Sequence, residues 1–282
     1  MNEAAPSAAA IGAARRRAAH QILDKPCLFE DPLAVRVLGA EVSELRQASA
    51  AETPSERRLR LFVAARSRFA EDRLRDACLL GVRQYVVLGA GLDTFGCRNP
   101  YRDLGLQVFE VDHPATQAWK RQRLHEVGIA EPATLTFVAL DFRSCCLKDG
   151  LAASGFDSAA PAFFSWLGVT PYLEQAAVRR TLEFIASQPA GSAVVFDYSL
   201  PRELLAPEQQ QARDALSSRV SRAGEPLLCQ FHPRDLASML AAMGFAGLED
   251  HHAAELVRLV SGSPHTTAEG RESSAHVMHA RV

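Results

Sequence analysis

No stretch of this 282-residue chain approaches the roughly 20 consecutive apolar residues needed to span a bilayer, so no membrane partner is expected. Charge of neither sign prevails: 31 Lys and Arg stand against 33 Asp and Glu, a formal net charge of −2. Such a balance gives no general attraction to nucleic acid. Cysteine is sparse, and Cys27, Cys78, Cys97, Cys145, Cys146 and Cys229 include no CxxC pair and no histidine at ligand spacing. A metal site is therefore not expected, and the thiols read as small buried hydrophobes of a reduced, cytoplasmic protein. Arg15-Arg16-Arg17 is followed by no apolar core of the secretory kind. Internal repeats and low-complexity linkers are missing too. What the chain does have is a 48% hydrophobic composition, enough to bury one large core over residues 1–282.

The first third reads as helical. Ala8 to Leu23 is rich in Ala and Arg, both strong helix formers. Asp31-Pro32 has the form of an N-cap with proline behind it, opening a short helix through Leu38. From Ser55 toward Leu80 an amphipathic pattern runs through Leu61, Phe62, Ala65, Phe69 and Leu74 until Gly81 stops it. Residues 1–80 are thus expected to form a helical cap or lid.

Strand and helix alternate from there. Strands are expected at Tyr85–Leu88, Gln107–Val111, Thr134–Leu140, Ala162–Leu167 and Ala193–Tyr198, with helices at Ala115–Val127, Cys146–Ala153 and Glu174–Ser187 between them. That order implies right-handed crossovers and a mainly parallel sheet covered on both faces, an α/β fold over 81–282. A polar helical insertion is expected at 201–222 and a further helix at Pro233–Met243. Two last strands follow, near Phe245–Asp250 and His276–Val282, with a polar loop at Ser261–Ser274.

The chemistry concentrates where the first strand ends. Val86-Val87-Leu88 breaks into Gly89-Ala90-Gly91-Leu92-Asp93-Thr94, and the next strand closes on Glu110-Val111-Asp112 about twenty residues later. This pairing lets backbone approach an adenosyl cofactor and sets an acid on its ribose hydroxyls. Thr94 stands where a dinucleotide fold places its third glycine, so a pyrophosphate cradle fits less well than a cofactor without phosphates. S-adenosyl-L-methionine is that cofactor. Glu110, on the same strand face, competes with Asp112 for the ribose. Leu140-Asp141-Phe142, after the third strand, is placed to accept from an adenine amino group and pack on its ring.

Several motifs in order resemble the leucine carboxyl methyltransferase family, in particular its bacterial branch of S-adenosylmethionine-dependent methyltransferases. They are Leu28-Phe-Glu-Asp-Pro-Leu-Ala34, Arg66-Ser-Arg-Phe69 with Asp72, and Leu88-Gly-Ala-Gly-Leu-Asp-Thr94 with Arg98. Phe109-Glu-Val-Asp-His-Pro114 and Phe164-Ser-Trp-Leu-Gly-Val-Thr-Pro-Tyr-Leu173 complete the set. The resemblance implies a class I methyltransferase, Rossmann-like, with a seven-stranded mainly parallel sheet and an N-terminal helical lid. It also implies that Arg66 binds the donor carboxylate, that Gly89, Ala90 and Gly91 line the methionine part, that Asp112 holds the ribose, and that Asp141 and Phe142 frame the adenine. Eukaryotic members carry a glutamate after the fourth strand where this chain has Leu167, which weakens transfer of their protein substrate to it.

The expected activity is therefore O-methylation of a small molecule or free carboxylate, by in-line displacement in which positioning supplies most of the acceleration. Tyr172 and Arg68 are the candidates on the acceptor side, and His113 is a candidate base should the acceptor be a hydroxyl. The alternatives are a non-catalytic S-adenosylmethionine-binding protein and an NAD(P)-dependent oxidoreductase. A homodimer is compatible with the sequence.

Overall fold

A computed structural model describes residues 7–141, 146–222, 224–262 and 274–282. Four helices come first: α1 (Ala8–Leu23), α2 (Ala34–Leu38), α3 (Val42–Ala50) and α4 (Pro54–Leu79). The longest of them, α4, starts on a full capping box: Thr53 accepts from the Glu56 N–H while Glu56 reaches back to the Thr53 N–H, and Pro54 fills the first turn. Then come β1 (Gln84–Leu88), α5 (Phe95–Arg98), β2 (Gln107–Asp112), α6 (Pro114–Glu126), β3 (Leu135–Ala139), α7 (Leu147–Ala152), β4 (Ala162–Trp166) and α8 (Gln175–Ala186). The chain closes with β5 (Ala193–Ser199), α9 (Pro207–Arg222), α10 (Pro233–Met243), β6 (Ala246–His252), α11 (Ala253–Ser261) and β7 (Ala275–Arg281).

The strands form one sheet in the order β3-β2-β1-β4-β5-β7-β6, with β7 antiparallel to both its neighbours. This is the seven-stranded, mainly parallel sheet expected. Each central strand feeds both faces. Val86 and Leu88 of β1 join a core with Phe164, Trp166, Val194 and Phe196 under α7, α8 and α10. Tyr85 and Val87 join the other core with Phe163, Val195 and Val277.

The second core ties the N-terminal helices to the sheet. Phe62, Ala65, Phe69, Leu74 and Cys78 of α4 pack into it beside Leu256 and Val257 of α11. The 26 residues of α4, about a third of the segment read as a cap or lid, are thus a layer of the sheet sandwich. Three helices were not anticipated: α3, the short α5 and α11. Asp31 does not open a helix at Pro32 either, since α2 starts at Ala34 and the Asp31 side chain is buried, bonded to Thr94 at 2.5 Å. The insertion at 201–222 is a short 3-10 turn followed by α9.

Candidate cofactor and acceptor site

Parallel sheets bind ligands at the carboxyl edge where the strand order reverses, because the crossovers on either side leave opposite faces there. In this sheet the reversal falls between β1 and β4. The turn after β1 and the loop after β4 meet at that point: a Cβ built on Gly89 would collide with the Val169 side chain. Gly89 and Gly91 have φ of +66° and +51°, a region that side-chain-bearing residues avoid, so the turn needs glycine at both positions. The Gly89 and Ala90 N–H groups both donate to the Val111 carbonyl, at 2.8 and 3.2 Å, which folds the turn against the end of β2.

Asp112 lies on the inner side of that fold. Its carboxylate accepts from Gly91 N–H at 2.5 Å and from His113 N–H at 2.6 Å. Burial pushes its pKa above the ordinary value, and the two backbone donors pull the other way. Glu110, the competing acid, is fully buried and paired with Lys120 of α6, so it faces no ligand. His113 accepts from Ala115 N–H at 3.3 Å and caps α6. Asp141 sits half-buried just past β3, whose backbone is tied to Asp112 by Leu140 N–H to its carbonyl at 2.8 Å. Phe142 lies outside the described residues.

The other half of the site is built around β4 and β5. Arg66 projects from α4, only 8% exposed, and its Nη1 donates to Asp197 near the end of β5. Asp197 also accepts from Gly168 N–H at 2.6 Å. The guanidinium lies against Gly168, where φ is +77° and an added Cβ would come within 2.8 Å of Arg66 Nη2. Among the described residues Arg66 Nε is buried with no hydrogen-bond partner. Tyr172, in the 3-10 turn Thr170–Tyr172, is near enough for the Arg66 charge to act on it, yet burial outweighs that charge and its pKa is raised. Its hydroxyl therefore stays protonated at neutral pH and can donate.

Arg68 does not join them. It lies on the outer side of α4 with its side chain 47% exposed, paired at 2.7 Å with Asp72 one turn on. A surface i,i+4 pair of this kind is worth roughly 0–1 kcal/mol.

Over the glycine turn lies α1. Ala10 packs against Gly91, and Arg17 donates to the Leu92 carbonyl at 2.7 Å. Arg17 also pairs with Asp31 at 3.5 Å, and Asp31 accepts from Thr94. Arg98 in turn donates to Thr94 at 3.1 Å and grips Glu71 of α4 through two nitrogens. The start of α1 is held from the far side, where Ala8 and Ala9 N–H both donate to Glu225 at 3.0 Å. The residues after α9 also donate to the site: Leu228 and Cys229 N–H reach the Pro171 carbonyl.

Sequence reasoning missed Asp197, Arg17, Asp31 and Glu225. A trace of Asp197 was present, because an acid closing the apolar run Ala193–Phe196 is unusual in a central strand. Arg17 was hidden in a run that reads equally well as helix-forming surface.

The fold is that of a class I methyltransferase, with a glycine turn and a carboxylate at the switch point of its sheet. The model of the leucine carboxyl methyltransferase family matches residues 10–186, and the chain belongs to that family. A Bacillus subtilis relative provisionally named S-adenosyl-L-methionine-dependent methyltransferase YktD is 36% identical over 181 residues, which cover 64% of this chain and 59% of the relative. One from Mycolicibacterium gilvum with the same provisional name is 31% identical over 229 residues, 76% of this chain and 71% of its own. The chain thus spans about 59–71% of the length of these two relatives. Among solved structures, a Thermobifida fusca protein provisionally titled a methyltransferase superposes with a TM-score of 0.61 at 15% identity, covering 99% of this chain and 96% of that one. A Streptomyces avermitilis protein superposes at 0.52 with 16% identity, covering 95% and 96%. At such identities the two structures speak for the fold.

Proposed function

We propose that the chain is an S-adenosylmethionine-dependent methyltransferase that modifies an oxygen, carboxylate or hydroxyl, of a small molecule. The observation that carries this reading is the Asp112 carboxylate, fixed by two backbone N–H groups beside a glycine turn at the sheet's switch point. An anion held in place by backbone is preorganised to accept from vicinal ribose hydroxyls.

The remaining residues fit the same cofactor. Glycines at 89 and 91 leave the turn without side chains where a ligand would approach. The unpartnered Nε of Arg66 is a buried donor in need of an anion, and the carboxylate of a methionine moiety is one. Asp141, just past β3, is assigned to the adenine amino group and Phe142 to the ring by the resemblance. The cofactor supplies an electrophilic methyl group on a sulfonium. The chain's own work is to orient and to exclude water: α1 covers the turn, and Tyr172 donates to the acceptor. A carboxylate acceptor is ionised at neutral pH and needs no base.

The dinucleotide alternative is opposed by charge. Asp31, Asp93 and Asp112 surround the turn, while Arg98 and Arg17, the nearby cations, are engaged by Glu71, Asp31 and the Leu92 carbonyl. A pyrophosphate would meet carboxylates there. Calorimetry with S-adenosylmethionine, S-adenosylhomocysteine and NAD tests the reading. Binding of the first two and not the third is expected, followed by transfer of labelled methyl to carboxylic acids or phenols. Absence of binding by either adenosyl ligand to folded protein overturns it, and binding without transfer to any acceptor points to the non-catalytic alternative.

A further inference from the structure

Arg66 and Asp197 form a buried ion pair with hydrogen-bonding capacity to spare, and the contrast with its neighbour is informative. Arg60, on the same helix, binds Asp24 through Nε at 2.8 Å and Nη2 at 3.0 Å and reaches Glu52 with Nη1, so all three nitrogens are used. Arg66 spends one nitrogen on Asp197 and leaves Nε buried without a partner. Among the described residues Asp197 accepts one bond on each oxygen, from Gly168 N–H and from Arg66. A carboxylate oxygen can take two. Both side chains are nearly fully buried, at 8% and 5% exposure, so their spare capacity is not spent on bulk water. Leaving a buried donor unmade is costly, which makes the pair a poor structural element and a good half of a receptor.

Resting on the reading above, we infer that Asp197 is a specificity residue: with Arg66 it receives the free α-amino-acid end of the ligand, Arg66 taking the carboxylate and Asp197 the ammonium. The charges suit a zwitterion. A neutral pair meeting a ligand end with one charge of each sign buries no net charge, and each ligand charge finds its opposite. A ligand end carrying only a carboxylate would meet Arg66 but be repelled by Asp197. Position agrees, because the pair straddles Gly168, in the loop after β4 that meets Gly89 through Val169. One end of an adenosyl ligand held at Asp112 would thus extend toward it. The Phe62 ring, 5.6 Å from the guanidinium, fixes Arg66 from behind.

Two ligands separate the role from mere support: S-adenosylhomocysteine, which has the amino-acid end, and 5′-methylthioadenosine, which lacks it. Wild-type protein binding both, with the first tighter, is the starting point. Asp197→Asn is expected to weaken S-adenosylhomocysteine at least tenfold while 5′-methylthioadenosine stays within about twofold. Should that variant fold poorly because Arg66 is left alone, Arg66→Gln combined with Asp197→Asn removes both charges and is expected to bind the two ligands alike. Unchanged or tighter S-adenosylhomocysteine binding by Asp197→Asn overturns the inference and leaves the cofactor reading standing. Equal loss of both ligands in a folded variant also overturns it, since that marks a structural residue. Wild-type protein that binds neither ligand removes the cofactor reading and this inference with it.

Discussion

The two halves of the proposed site are built by opposite means. The half at β1 and β2 is local at its centre: the Gly91 N–H and the Asp112 carboxylate are 21 residues apart and the Gly89 and Ala90 N–H groups bond the Val111 carbonyl, while Arg17 and Asp31 reach only the far end of the turn, at Leu92 and Thr94. The half at β4 and β5 is assembled from afar, by two side chains 131 residues apart on α4 and β5. Pairing β1 with β2 already places the first, whereas the second waits on α4 docking across β4 and β5. A local half of this kind suits the part common to every adenosyl ligand. A distant, side-chain half can be retuned without touching the sheet.

One cluster underlies both, and breaking it should erase the contrast. Asp24, just past α1, accepts from Arg60 of α4 through two nitrogens and from His20 Nδ1 at 2.9 Å, while His20 Nε2 accepts from Leu28 N–H at 2.8 Å. A backbone N–H can only donate, so Nε2 carries the lone pair and the proton sits on Nδ1. Burial raises the Asp24 pKa, but the bonds from His20 and Arg60 outweigh it and hold the carboxyl at about 2. Asp24→Asn is expected to cost about 3 kcal/mol: Arg60 keeps Glu52, but its Nε and Nη2 and the His20 ring lose a charged acceptor, and a bond to a charged group is worth about 1.5–3 kcal/mol. Denaturant unfolding measures this directly. In the wild type, Asp24 contributes roughly 2 kcal/mol above the ordinary carboxylate pKa of about 3.9, lost as pH falls toward 2. The variant should show a flatter acid limb of stability over that window.

Next in size is a change confined to the local half. Asp112→Ala should weaken S-adenosylhomocysteine by about a hundredfold, the worth of two charge-assisted hydrogen bonds at the lower end of their range. It should weaken 5′-methylthioadenosine just as much, since the ribose is shared. That equality is the opposite of the Asp197→Asn pattern, and similar profiles for the two variants would dissolve the division. Because burial raises the Asp112 pKa, the anion needed for the ribose is lost on acidification at a pH above the ordinary carboxylate value. Affinity should fall through that higher range in wild type.

Gly89→Ala probes the local half through its backbone. The substitution forces a side chain into φ +66° and drives it against Val169. Strain plus overpacking should cost about 1–3 kcal/mol of stability. Thermal unfolding reads the loss, and a co-substitution Val169→Ala should recover the packing part while leaving the backbone part. Full recovery would show that the turn does not need glycine for its conformation.

How much of this was legible in the sequence follows the same division. The alternation from Tyr85 to Tyr198 shows the sheet because strand and helix have different apolar periods. Gly89, Gly91 and Asp112 stand out because local structure writes itself into adjacent residues. Arg66 needed the family resemblance, since an arginine on a charged helix looks the same whether it faces water or a pocket. Asp197 went unnoticed because its partner is 131 residues away and no spacing records such a pair. The helix α11 was overlooked because Ala253–Ser261 follows β6 without a break that a reader could see, and its cap is His252, a residue rarely read as one. Asp31 was misplaced by a rule that is sound locally, since the Asp-Pro pair signals a helix start. Its carboxylate does accept from Leu33 N–H at 3.2 Å, but the same group is shared with Thr94, Arg17 and Arg98, and the helix starts only at Ala34.

The smallest expected effect concerns the arginine two residues beyond Arg66. On a helix of 3.6 residues per turn, positions 66 and 68 point about 200° apart, so one faces the pocket and the other faces away from it. Arg68→Ala removes only an exposed pair with Asp72 and should change stability by less than about 0.5 kcal/mol. Ligand affinity and methyl transfer should match wild type within twofold. A loss of turnover at unchanged affinity would mean that α4 presents a second surface to the acceptor, and that the distant half of the pocket extends around the helix.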